Sequence, residues 1–190
     1  MLLLCTANQC RSPMAEVLLR QRLHDVGVDA HVSSAGLYEG GAAATSHGVA
    51  TMADRGLDLT GHRSRQMDAE MLAGADLVIA MAREHVREVA LFDADLLART
   101  FTLKELARGA DEIGPRGRDE PLATWLARIA ANRSRSALVG VGHDDALDVA
   151  DPVGRGRADY ELTANLLDDL LGRVVTLAFP PSARSQERSA

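Results

Sequence analysis

Aromatic residues are scarce: three Phe, two Tyr and one Trp make up 3% of the 190 residues. A core must therefore be filled by aliphatic side chains and alanine. The hydrophobic share of 46% and the charged share of 25% are ordinary for a single globular domain that buries one. Cysteine is scarcer still, with Cys5 and Cys10 the two in the chain. That spacing is neither a zinc ribbon nor a disulfide framework, and it points to a reducing, cytosolic compartment. No apolar run reaches the roughly eighteen residues of a membrane span, and Met1–Leu4 lacks the basic flank of a signal peptide. Positive charge is not in excess. A net charge of −6 and a pI near 5.5 exclude a domain that binds nucleic acid through a broad basic face. Lysine is almost missing, since Lys104 alone among 21 basic residues is not arginine. Such a chain must recognise an anion with a few positioned groups rather than with its overall field.

What is present is an alternation of short apolar stretches and longer helical patterns. Met1–Leu4 is an apolar strand, and Ser12–Val26 places Met14, Val17, Leu18 and Leu23 at helical spacing. Ala30–Ser34 reads as a second strand, Gly36–Gly41 as a glycine-rich loop, and Ser46–Arg55 as a helix closed by Gly56. Ala75–Met81 (ADLVIAM) reads as a largely apolar strand of the kind buried in parallel sheets. A helix over Arg83–Leu91, a strand over Arg99–Leu103 and a helix over Lys104–Ala107 follow. Gly109–Asp119 reads as loop and Pro121–Asn132 as a helix in which Trp125 packs in the core. A long polar connection then leads to Asp151, and a last helix covers about Asp159–Thr176. Strands separated by helices, with no hairpin signals, predict one α/β domain over residues 1–179, its parallel sheet wrapped on both faces. Residues 180–190 read as a flexible polar tail.

The segment that carries chemistry is Cys5-Thr6-Ala7-Asn8-Gln9-Cys10-Arg11-Ser12-Pro13, between the first strand and the first helix. A cysteine followed six positions later by arginine is weak evidence in an arginine-rich chain. Placement sharpens it: Cys5 ends a strand, and Arg11 and Ser12 open a helix with Pro13 in its first turn. Backbone N–H groups beside a helix N-terminus make a cradle for a tetrahedral oxyanion. Arg11 adds a planar fork for two oxygens, and the positive surroundings favour the thiolate of Cys5. A thiolate under a phosphoryl group is a nucleophile aimed at phosphorus, and Ser12 is able to donate a hydrogen bond to that sulfur.

These residues, continued by Pro13-Met14-Ala15-Glu16, resemble the low-molecular-weight protein tyrosine phosphatases, whose signature is an N-terminal C-x5-R-S loop followed by P-M-A-E. The resemblance implies a four-stranded parallel sheet of flavodoxin-like order, a phosphocysteine intermediate, and neither metal nor other cofactor. Ala7 departs from the family's usual glycine and adds a methyl group to the cradle. The resemblance also implies that Asn8 is held by Ser34 and His62, bracing a strained loop from behind. Taken singly, each of these is an ordinary surface or capping residue. By the same resemblance Asp151, in Asp151-Pro152, is the general acid that protonates the leaving oxygen and later activates water. Asp-Pro is also a common turn pair, and Asp144, Asp145 and Asp148 lie nearby, with Asp148 the next candidate.

Cys10 reads equally well as a small buried hydrophobe and as a redox partner that stores Cys5 in a disulfide. Tyr38 would supply one wall of a cleft for an aromatic ring. Val153 stands where the family usually has a second aromatic, and Gln9 is neither the aliphatic residue of tyrosine phosphatases nor the threonine of arginine phosphatases. The connection over about 108–148 is longer than the family's. The expected activity is hydrolysis of a phosphorylated protein or small aryl phosphate, phosphotyrosine ahead of phosphoarginine. Arsenate reduction relayed through downstream cysteines finds none after Cys10, and intact Cys5, Arg11 and Asp151 argue against a phospho-binding module without activity. Neither nucleic acid nor membrane is an expected partner.

Overall fold

Strand β1 (Leu2–Cys5) runs through the centre of the molecule, and all four of its residues are buried. Alternation along the strand explains how. Leu3 and Cys5 enter one apolar cluster, while Leu2 and Leu4 enter a second on the opposite face. Strand β2 (Ser33–Gly36) pairs with one side of β1 and β3 (Val78–Ala80) with the other, and β4 (Thr100–Thr102) pairs with β3. All pairings are parallel and the order is β2-β1-β3-β4, the flavodoxin-like order expected. The computed structural model of the chain describes residues 1–133 and 146–180. Most of the polar connection, with Asp144 and Asp145, and the tail from 181 onward lie outside the described residues.

The helices divide between the two faces. α1 (Arg11–Asp25) covers Leu3 and Cys5 with Met14, Leu18, Leu19 and Leu23, and the α2 (Ser46–Ala53) residue Met52 joins them. On the other face Leu72 of α3 (Ala69–Ala73) and Val89 of α4 (Arg83–Phe92) cover Leu2, Leu4 and Val78. Because β1 leads into a helix on one face and β3 into a helix on the other, a crevice opens at the C-terminal ends of these neighbouring strands. Cys5 ends its strand at that crevice.

Beyond β4 come α5 (Leu103–Ile113), α6 (Leu122–Ala131) and α7 (Arg157–Ala178). The inward stripe of α7 runs through Leu167, Leu171, Val174 and Ala178. Trp125 is fully buried, as expected, and its Nε1 donates to Gly114 O at 3.1 Å. No described helix is long and apolar enough to cross a membrane.

Three expectations are corrected. β2 lies at Ser33–Gly36 rather than Ala30–Ser34. Its Ser-Ser-Ala-Gly sequence has little intrinsic strand preference, so pairing with Leu2–Cys5 decides its bounds. The helix expected over Lys104–Ala107 continues to Ile113, through the residues read as the start of a loop. Thr102 and Glu105 form a reciprocal cap at its start. Gly109 within it marks a close approach: a Cβ there would lie 2.5 Å from Ile129 Cγ2 on α6. Helix α3 and a 3₁₀ helix over Ala94–Arg99 were not expected at all. Both are short and rest on tertiary contacts of Leu72 and Leu96 rather than on a long periodic pattern.

Candidate active site

The loop from Thr6 to Cys10 joins β1 to α1, and its shape is held by a side chain at its middle. Asn8 is fully buried and takes a left-handed backbone, φ 52°. Its Nδ2 donates to Ser34 Oγ at 2.8 Å and to Ser12 Oγ at 2.9 Å, and its Oδ1 accepts from Arg65 N at 2.9 Å. His62 Nε2 donates to the Asn8 carbonyl at 2.7 Å. Ser34 and His62 thus meet Asn8 where the resemblance implied. Two further backbone bonds pin the loop: Leu37 N to Thr6 O at 2.7 Å and Thr45 N to Gln9 O at 2.8 Å. Gly36 matters for a different reason, because a Cβ there would lie 2.8 Å from both Asn8 N and Thr6 O.

Cys5 is 3% exposed, and Ser12 Oγ donates to its sulfur at 3.0 Å. Ser12 accepts from Asn8, and of the two acceptors open to its single proton Cys5 Sγ at 3.0 Å is nearer than Ala35 O at 3.5 Å. Arg11 reaches across the same space. Its Nη1 donates to Val149 O at 3.1 Å, and its Nη2 donates to Thr6 Oγ1 at 3.1 Å and to Asp151 Oδ2 at 2.6 Å. Its Nε is buried without a hydrogen-bond partner. A buried guanidinium N–H left open is costly unless an anion takes it. Asp151 remains about half exposed and is steadied by Val153 N, which donates to Oδ1 at 3.1 Å. Asp148, the alternative acid, lines the same cavity beside Arg11 but is less exposed than Asp151 and accepts from Arg83 N at 2.8 Å at the start of α4.

A cavity of about 510 Å³ opens beside Arg11, bounded by Thr6, Glu84, Arg87, Asp151 and Arg155. Tyr38 and Val153 are both exposed and neither lines it. Cys10 is buried on α1's side of the loop, and its thiol is pushed up to about 12, by burial first and then by the charge of Asp151. It stays a neutral thiol at neutral pH, as its reading as a small hydrophobe requires. Both cysteines are free. Among the described residues no group of three or more His, Cys, Asp or Glu is placed to hold a metal ion.

Two participants escaped the sequence reading. Arg65 supplies the N–H that fills Asn8 Oδ1, a backbone contribution invisible to residue type. His85 is fully buried against Thr6, with Nε2 at 3.1 Å from Thr6 Oγ1. A polar residue on the face of α4 that also carries Val86 and Val89 was the available signal.

Comparison with known proteins agrees with this geometry. The family model for "Low molecular weight phosphotyrosine protein phosphatase" matches residues 1–114, a span that holds Cys5 through Ser12, Ser34 and His62 and stops short of Asp151. A low molecular weight protein-tyrosine-phosphatase of Streptomyces coelicolor is 32% identical over 161 residues, 83% of this chain and 79% of that one. A protein-arginine-phosphatase of Bacillus subtilis is 35% identical over 116 residues, 60% of this chain and 77% of that one. The solved structure of a YwlE mutant from Bacillus subtilis superposes with a TM-score of 0.69 at 27% identity, covering 92% of this chain and 95% of the other. With its signature loop, its parallel sheet and these relatives in agreement, the chain belongs to the low molecular weight phosphotyrosine protein phosphatase family.

Proposed function

We propose that this protein removes phosphate from phosphotyrosine in protein substrates, through a phosphocysteine intermediate on Cys5. The loop N–H groups and the Arg11 guanidinium hold the three terminal phosphoryl oxygens. The Cys5 thiolate attacks phosphorus in line, the P–O bond to the aryl group breaks, and Asp151 gives its proton to the departing oxygen. Asp151 as carboxylate then takes a proton from water, which attacks the phosphocysteine and expels the thiolate. The Ser12 hydroxyl, 3.0 Å from that sulfur, stabilises it as it leaves. In this reading Arg11 exchanges the Asp151 carboxylate for phosphoryl oxygens when substrate enters, and the freed carboxylate, now beside the phosphate's negative charge, takes up a proton from solvent and faces the leaving group as the acid. A reducing compartment suits a mechanism that runs on a free thiol.

The observation that carries the reading is the open Nε of a 5% exposed Arg11 beside a cysteine whose sulfur already has its hydrogen-bond donor in place. Cys5→Ser tests it. Turnover of a phosphotyrosine peptide should vanish while inorganic phosphate still binds, because cradle and guanidinium remain. Substantial turnover in that variant would sink the covalent route. A second reading, hydrolysis of phosphoarginine, is favoured by the 35% identity to the Bacillus subtilis arginine phosphatase and by the polar Gln9. Phosphotyrosine and phosphoarginine peptides of one sequence, assayed side by side, separate the two. A tenfold higher kcat/KM for phosphoarginine would replace the first reading with the second.

A further inference from the structure

We infer that His85 is a positioning residue for phosphate recognition: from α4 it orients the Thr6 hydroxyl, and Thr6 in turn orients the Arg11 guanidinium. The inference rests on the phosphatase reading for its purpose and on its own geometry for its content.

The hydrogen-bond inventory around Thr6 Oγ1 has one consistent solution. Ala82 N donates to His85 Nδ1 at 3.0 Å, so Nδ1 carries no proton and the imidazole proton sits on Nε2. Burial and the neighbouring Arg11 charge lower the imidazole pKa to about 3, which keeps the ring neutral in this tautomer. Nε2–H lies 3.1 Å from Thr6 Oγ1, and Arg11 Nη2, which can only donate, lies at the same distance. Both lone pairs of the hydroxyl are thereby filled. Its one proton must go to an acceptor, and Glu84 Oε1 at 3.2 Å is that acceptor. Nε2 also lies 3.3 Å from the same carboxylate oxygen, while the ring's orientation is set by its bonds with Ala82 N and Thr6 Oγ1.

The consequence lies at Arg11. Its Nη1 is tied to Val149 O, and Thr6 ties Nη2 in the loop itself, one residue after the nucleophile. These two bonds define the plane in which the open Nε points. Without His85 and Glu84 the Thr6 hydroxyl would be free to turn its proton toward Arg11, and the guanidinium would lose its brace.

The test is a double-mutant cycle read by calorimetry with inorganic phosphate and by inhibition with orthovanadate. Thr6→Val, nearly the same shape without the hydroxyl, and His85→Leu should each weaken phosphate binding about tenfold, the range for losing a hydrogen bond to a charged group. The double variant should be no weaker than either single one, because both break the same chain. Thr6→Ser and His85→Gln, which keep the hydroxyl and a donor near Nε2, should recover most of the binding. Thr6 is only partly buried, and where His85→Leu fails to fold, the cycle is run with His85→Ala in its place; a His85→Ala loss that multiplies with that of Thr6→Val overturns the inference. Thr6→Val binding phosphate as tightly as the unaltered protein, or losses that multiply in the double variant, would overturn the inference. The catalytic reading fails separately: an unaltered protein that binds phosphate yet hydrolyses no phosphomonoester refutes it, while the binding cycle still decides the role of His85.

Discussion

Asp151 and His85 both bear on Nη2 of Arg11, Asp151 directly and His85 through Thr6, one exposed to solvent and one sealed from it, and each has a measurable consequence. Asp151 has room to meet a leaving group, since about half of its side chain is open. Asp151→Asn removes the proton but keeps the shape. Aryl phosphates with poor leaving groups should slow by two orders of magnitude or more, while those with good leaving groups change little. An equal loss across a leaving-group series would take the acid role from Asp151. His85 is held neutral in the fold, at about 3 against an ordinary 6.5. Between those values the unfolded chain binds a proton that the native state does not. This residue therefore costs nothing above pH 6.5 and lowers stability as pH falls below it, by an amount on the order of 2 kcal/mol at pH 5. Denaturant unfolding of the unaltered protein and of His85→Gln at pH 7.5 and pH 5 measures it, and the variant should lose the smaller amount on acidification.

At the scale of elements, the loop is shaped by neighbours that never touch a substrate. The end of β2 is one of them. Gly36 lies so close to the loop backbone that a Cβ would stand 2.8 Å from Asn8 N, 2.8 Å from Thr6 O and 3.0 Å from Ala7 C. All three are main-chain atoms and none can swing aside as a side-chain tip would. Gly36→Ala should push the loop off its hydrogen bonds to Leu37 and Asn8's partners, at a cost of about 1–3 kcal/mol in stability. Phosphate affinity should fall more than tenfold. Calorimetric titration together with a denaturation curve checks both, and intact phosphate binding would show that the loop tolerates the displacement.

Across the whole molecule, the site draws together the β1–α1 loop, Ser34 on β2, His62 and Arg65 beyond α2, and Val149 and Asp151 before α7. The loop and Arg11 that would hold an anion are positioned by segments from both ends of the described chain, so binding requires their assembly. Phosphate at a hundred times its dissociation constant should add about 2.7 kcal/mol to the native state. For a chain of this size that raises Tm by roughly 5–10 °C. Arg11→Lys should abolish most of this shift, because an ammonium offers a point charge where the fork is needed. A full shift in that variant, read by scanning calorimetry at constant ionic strength, would place the bound phosphate elsewhere.

The local chemistry is already legible in the order of residues near the N-terminus. The four apolar residues before Cys5, the arginine six positions on and the proline in the first turn of α1 define a strand, a cradle and a helix start within sixteen residues, and the family resemblance follows from the same stretch. The parallel α/β architecture was also legible, because unbroken apolar runs such as Leu77–Met81 have no other comfortable place than a sheet covered on both sides. Tertiary structure alone decided what depends on partners distant in the chain. The bounds of β2 come from its register with β1, and the close packing of α5 on α6 uses the space Gly109 leaves for Ile129. The bond from Arg83 N to Asp148, the pairing of Asp151 with Arg11 and the filling of Thr6 by His85 belong to the same class. A side chain's type states which hydrogen bonds it is able to make, and only the folded chain brings up the groups, 65 to 140 positions away in these cases, that determine which ones it does make.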